Sequence, residues 1–257
     1  MKRLLGSVFV FALFVAAAVA QKPDSSKTPD AKPTVSPTAK LPSAKDIVEK
    51  YVKAIGGRDA LLKHKSRVES GTMELSPMGV KGTFESYSRS DNRVLTKISL
   101  DGVGEILEAF DGTTGWSSNP VQGSRVKEGK ELEQFKSVSN FSRDANLEKA
   151  FSALTVRGVE KVGDRDTYAV VASTDGLPDE ILYFDVENGL MLRRDNIVLA
   201  PEGKQATSAF LEDYREVGGI KTPYKTRVKT PAFEITSITT DVKFDVAIDD
   251  SKFKRPN

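Results

Sequence analysis

The chain has 257 residues, and 38 basic against 36 acidic side chains give it a formal net charge of +2. The basic residues are spread along the chain, so there is no concentrated basic face of the kind that phosphate binding requires, and a nucleic-acid partner is not expected. The chain has no cysteine and one histidine. This composition argues against disulfides, a lipid-modified cysteine and a tetrahedral zinc site, and no metal or cofactor is predicted.

The N-terminus has the pattern of a cleavable export signal. Met1-Lys2-Arg3 precedes an uncharged apolar run, Leu4 to Ala20, which ends in Ala18-Val19-Ala20. Two cations, a short apolar core and a small-x-small ending are typical of a secretory signal peptide. The alternative, a membrane anchor, is disfavoured because the run is short and no stop-transfer charges follow it. Residues 1–20 therefore predict export to the periplasm, or secretion, with no stable membrane anchor after cleavage.

Residues 21–42 predict a disordered linker. Lys, Asp, Ser and Thr dominate this stretch, and prolines recur through it, at Pro23, Pro29, Pro33, Pro37 and Pro42. Such a composition buries too little apolar surface to offset the entropy lost on ordering. Residues 43–257 remain, and they are enough for one sizeable domain.

The domain is predicted to begin with a helix from Ser43 to Ile55. Ser43 and Asp46 make a start that resembles a capping box, and Gly56-Gly57 ends the helix. The apolar residues lie on one stripe at helical spacing. They are Ile47, Val48, Tyr51, Val52 and Ile55. A second, short helix is predicted over residues 59–63.

Most of the remaining sequence alternates with period two, which predicts an antiparallel sheet with one wet and one dry face. Turn signals such as Asp101-Gly102 and Asn188-Gly189 separate roughly ten to twelve strands. The longest alternation predicts one strand with the following residues on a single face: Thr236, Ile238, Thr240, Val242, Phe244, Val246 and Ile248. One amphipathic stretch, residues 128–141, predicts a helix inserted over the dry face.

No set of residues predicts catalysis, and the chain is not expected to be an enzyme. Ser124 and Lys127 fit a Ser-x-x-Lys pattern, but the companion motifs of that serine chemistry are absent. His64 lies between two lysines and is expected to be exposed at a helix end. Glu108 shares a strand face with Phe110, which indicates either a polar group inside a dry lumen or a different strand register.

Six motifs resemble those of exported bacterial domains grouped with LolA, the outer-membrane lipoprotein-sorting carrier. The motifs are Tyr51–Gly57, Phe110–Trp116, Tyr183–Leu190, Asp213–Glu216, Gly219–Tyr224 and Ile248–Phe253. The likeness extends over most of residues 43–256. It implies a mainly β fold, a strongly curved antiparallel half-barrel sheet of about eleven strands with helices on its concave face.

The resemblance also implies a function. In the LolA-like carriers the apolar cavity shields acyl chains in the periplasm, so this chain is expected to carry or bind a lipid, a lipoprotein acyl chain or another hydrophobic ligand. The alternative is an envelope protein-interaction or stress-sensing module with no small-molecule ligand. Seven residues are the candidate cavity lining, although each is also a candidate for ordinary core. They are Phe84, Ile98, Phe110, Trp116, Phe135, Phe141 and Phe244.

Overall fold

The computed structural model describes residues 41–256, so the expected signal peptide and nearly all of the expected linker lie outside the described residues. Within them, thirteen strands form a single sheet. The strands are β1 (Ser66–Ser76), β2 (Val80–Arg89), β3 (Val94–Leu100), β4 (Gly104–Phe110), β5 (Gly115–Asn119), β6 (Gly123–Val126), β7 (Ala153–Val162), β8 (Arg165–Ser173), β9 (Glu180–Asp185), β10 (Met191–Ala200), β11 (Gly203–Val217), β12 (Ile220–Lys229) and β13 (Glu234–Phe244).

The strand order leaves the sheet open at both ends. It runs β6-β5-β4-β3-β2-β1-β13-β12-β11-β10-β9-β8-β7, so the first and last strands pair at the middle and β6 and β7 form two open edges. Ile98 of β3 and Ala209 of β11 share one apolar cluster although four strands separate β3 from β11. The sheet is therefore strongly curved and unclosed, and the predicted half-barrel class is confirmed, with thirteen strands rather than about eleven.

Three α-helices and two 3-10 helices accompany the sheet within the described residues. They are α1 (Ala44–Ala54), α2 (Arg58–Lys63), α3 (Gly129–Val138) and the 3-10 helices Asp144–Lys149 and Asp250–Phe253. Helix α1 begins as predicted, because the Ser43 side chain accepts a hydrogen bond from the Asp46 amide at 3.1 Å. Its end lies against the β11–β12 turn, where a Cβ at Gly56 would come 2.2 Å from the Gly219 carbonyl oxygen.

Helices α1 and α2 and the 3-10 helix Asp144–Lys149 pack on the inner, concave face of the sheet. Their buried residues form one apolar cluster with inner-face residues of the strands from β8 to β11. The strand residues of this cluster include Val170, Leu182, Phe184, Met191 and Leu211. This arrangement follows from the two periodicities, since the apolar stripe of α1 and alternate residues of the strands each need a dry partner.

The single-face prediction for Thr236–Ile248 is wrong because β13 contains a β-bulge. Ser70 pairs with Asp241 while Gly71 pairs with Thr239, so Thr240 is an extra residue that reverses the alternation. Ile238 is consequently exposed, and the strand ends at Phe244. The inner-face residues of β13 are Ile235, Ser237, Thr239, Val242 and Phe244.

The C-terminal 3-10 helix packs on the outer face of the sheet. Trp116 of β5 is buried there with Leu95, Ala109 and Phe253. The indole Nε1 of Trp116 donates a hydrogen bond to the Phe253 carbonyl oxygen at 3.0 Å. A buried indole needs such a partner, so this contact satisfies Trp116 and holds the C-terminal segment on the sheet.

Phe253→Ala should lower the free energy of unfolding by about 3–5 kcal/mol, because it removes an aromatic ring that is 0% exposed and leaves a cavity over Trp116. Urea unfolding followed by tryptophan fluorescence measures this directly, since Trp116 is the single tryptophan. Lys254→Ala, at an exposed neighbouring position, serves as the control and should change stability by less than about 0.5 kcal/mol. Equal stability of both variants would contradict the assigned packing.

Candidate ligand-binding cavity

A cavity lies against the middle of the sheet, on the inner face. Five neighbouring strands contribute to it, β3, β2, β1, β13 and β12. The lining residues are Arg67, Glu69, Met73, Phe84, Ser86, Thr96, Ile98, Pro223, Thr226, Val228, Ile235, Ser237 and Thr239. Strand alternation explains most of this set, because alternate side chains of paired strands point to the same face.

The cavity is narrow in this conformation. Its volume is about 60 Å³. A bound water needs roughly 10–15 Å³ on that measure, whereas ligand cavities commonly reach about 300–1,000 Å³. The cavity therefore has room for a few water molecules, and a larger ligand requires the inner-face elements to move apart.

Polar and apolar groups occupy different ends of the cavity. Paired residues form rows across the sheet, and one row contains Thr96, Ser86 and Glu69. Three rows further along the strands, Leu75 pairs with Ile235, which pairs with Val228. The intermediate rows are mixed, with Phe84 and Ile98 beside hydroxyl groups. The lining thus changes from polar to apolar along the strand direction.

An ion pair lies in the polar end of the wall. Arg67 Nη2 donates a hydrogen bond to Glu69 Oε1, and both side chains are largely buried. The same nitrogen lies 3.4 Å from the Thr222 hydroxyl oxygen, and the guanidinium carbon lies 5.8 Å from the centre of the Phe244 ring. Arg67 also lines a second small cavity together with Asp144. The positive charge of Arg67 is therefore compensated by acidic side chains of the inner face.

Helix α3 crosses the concave side of the sheet and contacts both flanks. On β10, the Gln134 side chain donates to the Ile197 carbonyl oxygen at 2.8 Å and accepts from the Leu199 amide at 2.9 Å. These backbone groups have no hydrogen-bond partner in β9, because β9 pairs with β10 only as far as Asp195. On β5, a Cβ at Gly115 would lie 2.9 Å from Cδ1 of Leu132, so the glycine permits close contact with α3. Helix α3 therefore bridges the nine strands from β5 to β10 in spatial order.

A charged network attaches the start of α3 to β6. Glu131 accepts hydrogen bonds from Arg125 at 2.6 and 2.7 Å and from Lys127 at 2.9 Å. Burial raises the pKa of Glu131, but Arg125 and Lys127 outweigh it, so the net pKa is lowered. Lys127 also lies 3.1 Å from Glu108. Burial raises the pKa of Glu108, and Lys127 opposes the rise only in part. Glu108 is thus an inner-face polar group, as one of the two alternatives predicted.

The segment after α3 is attached to the sheet by a buried cluster of two arginines and one glutamate. Arg143 donates to Glu180 at 2.8 Å, and Arg194 donates to the other oxygen of Glu180 at 2.6 Å. Burial raises the pKa of Glu180, but Arg194 and Arg143 together outweigh it and lower the pKa overall. The ionised carboxylate therefore joins the 3-10 helix region to β9 and β10.

The seven candidate lining residues do not lie together. Phe84 and Ile98 line the cavity. Phe110 is buried on the inner face, with Lys136 Nζ of α3 5.9 Å from the centre of its ring, and Phe135 lies on α3 against Gly115. None of these positions establishes ligand contact, which stays a prediction.

Phe141, Phe244 and Trp116 lie elsewhere. Phe141 and Phe244 pack in the cluster beneath α1 and α2, and Phe244 also lines the second small cavity. The expectation that Trp116 lines the cavity is wrong, because Trp116 is on the outer face under Phe253. Trp116 pairs with Ala109, and the chain neighbours of Ala109, Glu108 and Phe110, face inward. Ala109 and Trp116 therefore face outward.

Sequence reasoning missed Arg67 and Glu69 as cavity residues. Both lie at alternate positions of β1 with Met73 and Leu75, so the period-two pattern puts all four side chains on the same face. Charged residues are rarely buried, so their presence on a strand does not by itself indicate an inner-face position. Period-two alternation that includes the charged residues would have placed them on the inner face.

His64 is buried, and its predicted exposure is wrong. Its Nδ1 lies 2.7 Å from Asp245 Oδ2, its Nε2 lies 2.9 Å from the Gly218 carbonyl oxygen, and its ring stacks on Phe244. The polar flanks of His64 gave no indication of these distant partners. The histidine joins α2 to the β11–β12 turn and to the end of β13.

The Ser-x-x-Lys pair does not assemble a catalytic site. Ser124 Oγ accepts a hydrogen bond from Arg255 at 2.8 Å, while Lys127 is buried with Glu108 and Glu131. Among residues 41–256, no group of three or more His, Asp or Glu side chains is arranged to hold a metal ion. Over the same range, no helix is long and apolar enough to cross a membrane.

The fold is shared with several bacterial proteins of known structure. A DUF1329 family protein from Desulfovibrio piger matches with a TM-score of 0.54 and 17% identity, over 83% of this chain and 98% of its own. A LolA superfamily protein from Nitrosomonas europaea gives 0.54 and 13%, over 84% and 99%. A domain from Vibrio parahaemolyticus named for outer membrane lipoprotein sorting gives 0.51 and 11%, over 82% and 95%.

No protein-family model and no curated protein sequence matches the chain. At these identities the structural similarities show the fold, and the resemblance to LolA-like domains is confirmed at that level.

Glu180→Gln should lower the free energy of unfolding at neutral pH by about 3–5 kcal/mol, because it leaves two buried arginines without their shared carboxylate. Since the pKa of Glu180 is lowered by folding, its ionised form stabilises the fold above its unfolded-state pKa of about 4.3. That stabilisation is lost as the pH falls through the lowered pKa that Glu180 has in the folded protein.

Urea unfolding from neutral to acidic pH should therefore show the difference between Glu180→Gln and the wild-type chain shrinking below about pH 4. Glu133→Gln is the matched control, because Glu133 forms an exposed ion pair with Lys130. A pH-independent difference, or a loss no larger than that of the control, would show that the cluster does not stabilise the fold in this way.

Proposed function

We propose that the protein is an exported periplasmic carrier or binder of a hydrophobic ligand, such as a lipid or a lipoprotein acyl chain. The observation that carries the proposal is a cavity inside a half-barrel that is bridged by a helix, which is attached through the polar contacts of Glu131 and Gln134. Apolar cavities with a small number of placed polar groups are typical ligand sites. The shared fold of domains named for lipoprotein sorting supports the proposal by analogy.

The cover of the cavity is suited to opening. Helix α3 has no fully buried residue, and Gln134 supplies its hydrogen bonds to β10. A helix that buries little apolar surface separates from its neighbours at lower free energy than a core element. Helix α3 contributes no residue to the cavity lining, so opening of α3 would uncover the concave face without breaking the strand pairing that forms the cavity wall.

The proposed location rests on the N-terminal sequence. Residues 1–20 have the charge, apolar core and small-x-small ending of an export signal.

The direct test is to purify the protein, expressed as the full-length chain, from a cell envelope under mild conditions. Solvent extraction and mass spectrometry then show whether a lipid is bound. The proposal predicts near-stoichiometric lipid. A protein that is free of lipid, and that takes up none from vesicles, would contradict the proposal and favour the protein-docking alternative.

Gln134→Ala should accelerate ligand exchange by roughly tenfold, because it removes both hydrogen bonds between α3 and β10. Stopped-flow transfer of a fluorescent fatty-acyl probe to unlabelled vesicles measures the exchange rate. Lys130→Ala, at an exposed position of the same helix, should leave the rate unchanged. Equal rates for the two variants would show that α3 does not control access to the cavity.

A further inference from the structure

The polar end of the cavity restricts the kind of ligand head group that it accepts. Five of the lining residues carry hydroxyl groups: Ser86, Thr96, Thr226, Ser237 and Thr239. Ser86 and Thr96 are cross-strand partners, both are buried, and the Thr96 hydroxyl donates to Ser86 Oγ at 3.2 Å. An alkyl chain forms no hydrogen bonds with hydroxyl groups. Hydroxyl groups at fixed positions in the wall can instead orient a ligand that forms hydrogen bonds.

The charges of the wall compensate each other. Arg67 and Glu69 are the charged residues of the lining, and they form an ion pair. Asp144 lies beside Arg67 around the second small cavity and adds a further negative charge. An anionic head would have to compete with Glu69 for Arg67, and a cationic head would compete with Arg67 for Glu69. Either exchange leaves a buried charge poorly compensated, which is strongly unfavourable.

The arrangement of the rows gives the ligand a direction. The polar row lies at Glu69, and the apolar row lies at Leu75, which is packed with Ile235 and Val228. Six residues of extended strand separate the two rows, a distance of about 20 Å. This is long enough for a medium-length alkyl chain with its head at Ser86 and Thr96.

We propose that the cavity binds an amphiphile with an uncharged, hydrogen-bonding head group, such as a glycerol ester. The head lies at Ser86 and Thr96, and the alkyl chain lies along the strands towards Ile235 and Val228. The inference rests on the proposed function, because it requires that the cavity opens to a hydrophobic ligand. It adds a selectivity that a purely apolar cavity would not have.

The test compares three amphiphiles with the same alkyl chain: monolaurin, laurate and dodecylammonium. Isothermal titration calorimetry below their aggregation concentrations measures each affinity for the protein expressed from the full-length chain. Monolaurin should bind at least about tenfold more tightly than either charged ligand, because only its head can use the hydroxyl groups without disturbing Arg67 and Glu69.

A pair of double variants locates the head group. S86A/T96V removes both hydroxyls of the polar row with little change in shape, and loss of both partners of a hydrogen bond costs little stability. T83V/S99A makes the same changes at cross-strand partners on the same two strands, at positions that face outward. The advantage of monolaurin over laurate should disappear in S86A/T96V and persist in T83V/S99A.

The outcomes separate this inference from the function on which it rests. Binding of laurate or dodecylammonium as tight as that of monolaurin, or an advantage of monolaurin that survives in S86A/T96V, would overturn the inference while leaving a hydrophobic-ligand carrier intact. Absence of binding by all three amphiphiles would overturn the proposed function and this inference with it.

Discussion

The antiparallel pairing of β1 with β13 is the constraint on which the rest of the structure depends. It joins the first and last strands of the domain at the middle of the sheet, so the other strands extend from there in two arms that end at β6 and β7. The chain between those edges, residues 127–152, crosses the open side of the half-barrel, where α3 contacts β5 and β10. Because this crossover contains α3 and a 3-10 helix, the topology itself supplies a cover for the concave face.

Ionic groups on the inner face attach this cover and define the polar part of the cavity. The groups are Arg67 with Glu69, Lys127 with Glu108 and Glu131, and Arg143 and Arg194 with Glu180. Buried ion pairs contribute little net stability, because desolvation offsets most of their attraction, but breaking one of them is costly. They are therefore better suited to fixing positions than to adding stability. The apolar clusters beneath α1 and around Trp116 supply the packing that holds the domain together.

Local patterns in the sequence predicted the fold class well, and long-range contacts account for the errors. The Ser43 cap and the apolar stripe identified α1, and the spacing of Leu132 and Phe135 identified α3, because these signals lie within a few residues of each other. The bulge at Thr240 depends on the partner strand, and the burial of His64 depends on residues far along the chain. Of the seven candidate lining residues, Phe84 and Ile98 lie on the cavity wall. The alternation of β1 was not used in the sequence analysis, so Arg67 and Glu69 were not identified.

The proposed function requires that α3 moves as a cover over a rigid sheet. Amide hydrogen exchange of the ligand-free protein tests this claim most directly, because it reports local and global opening separately for each segment. We expect the amides of α3 and the Leu199 amide to exchange much faster than the amides of β1 and β13, under conditions in which the sheet stays folded. Exchange of α3 together with β1 and β13, at the rate of global unfolding, would contradict the claim.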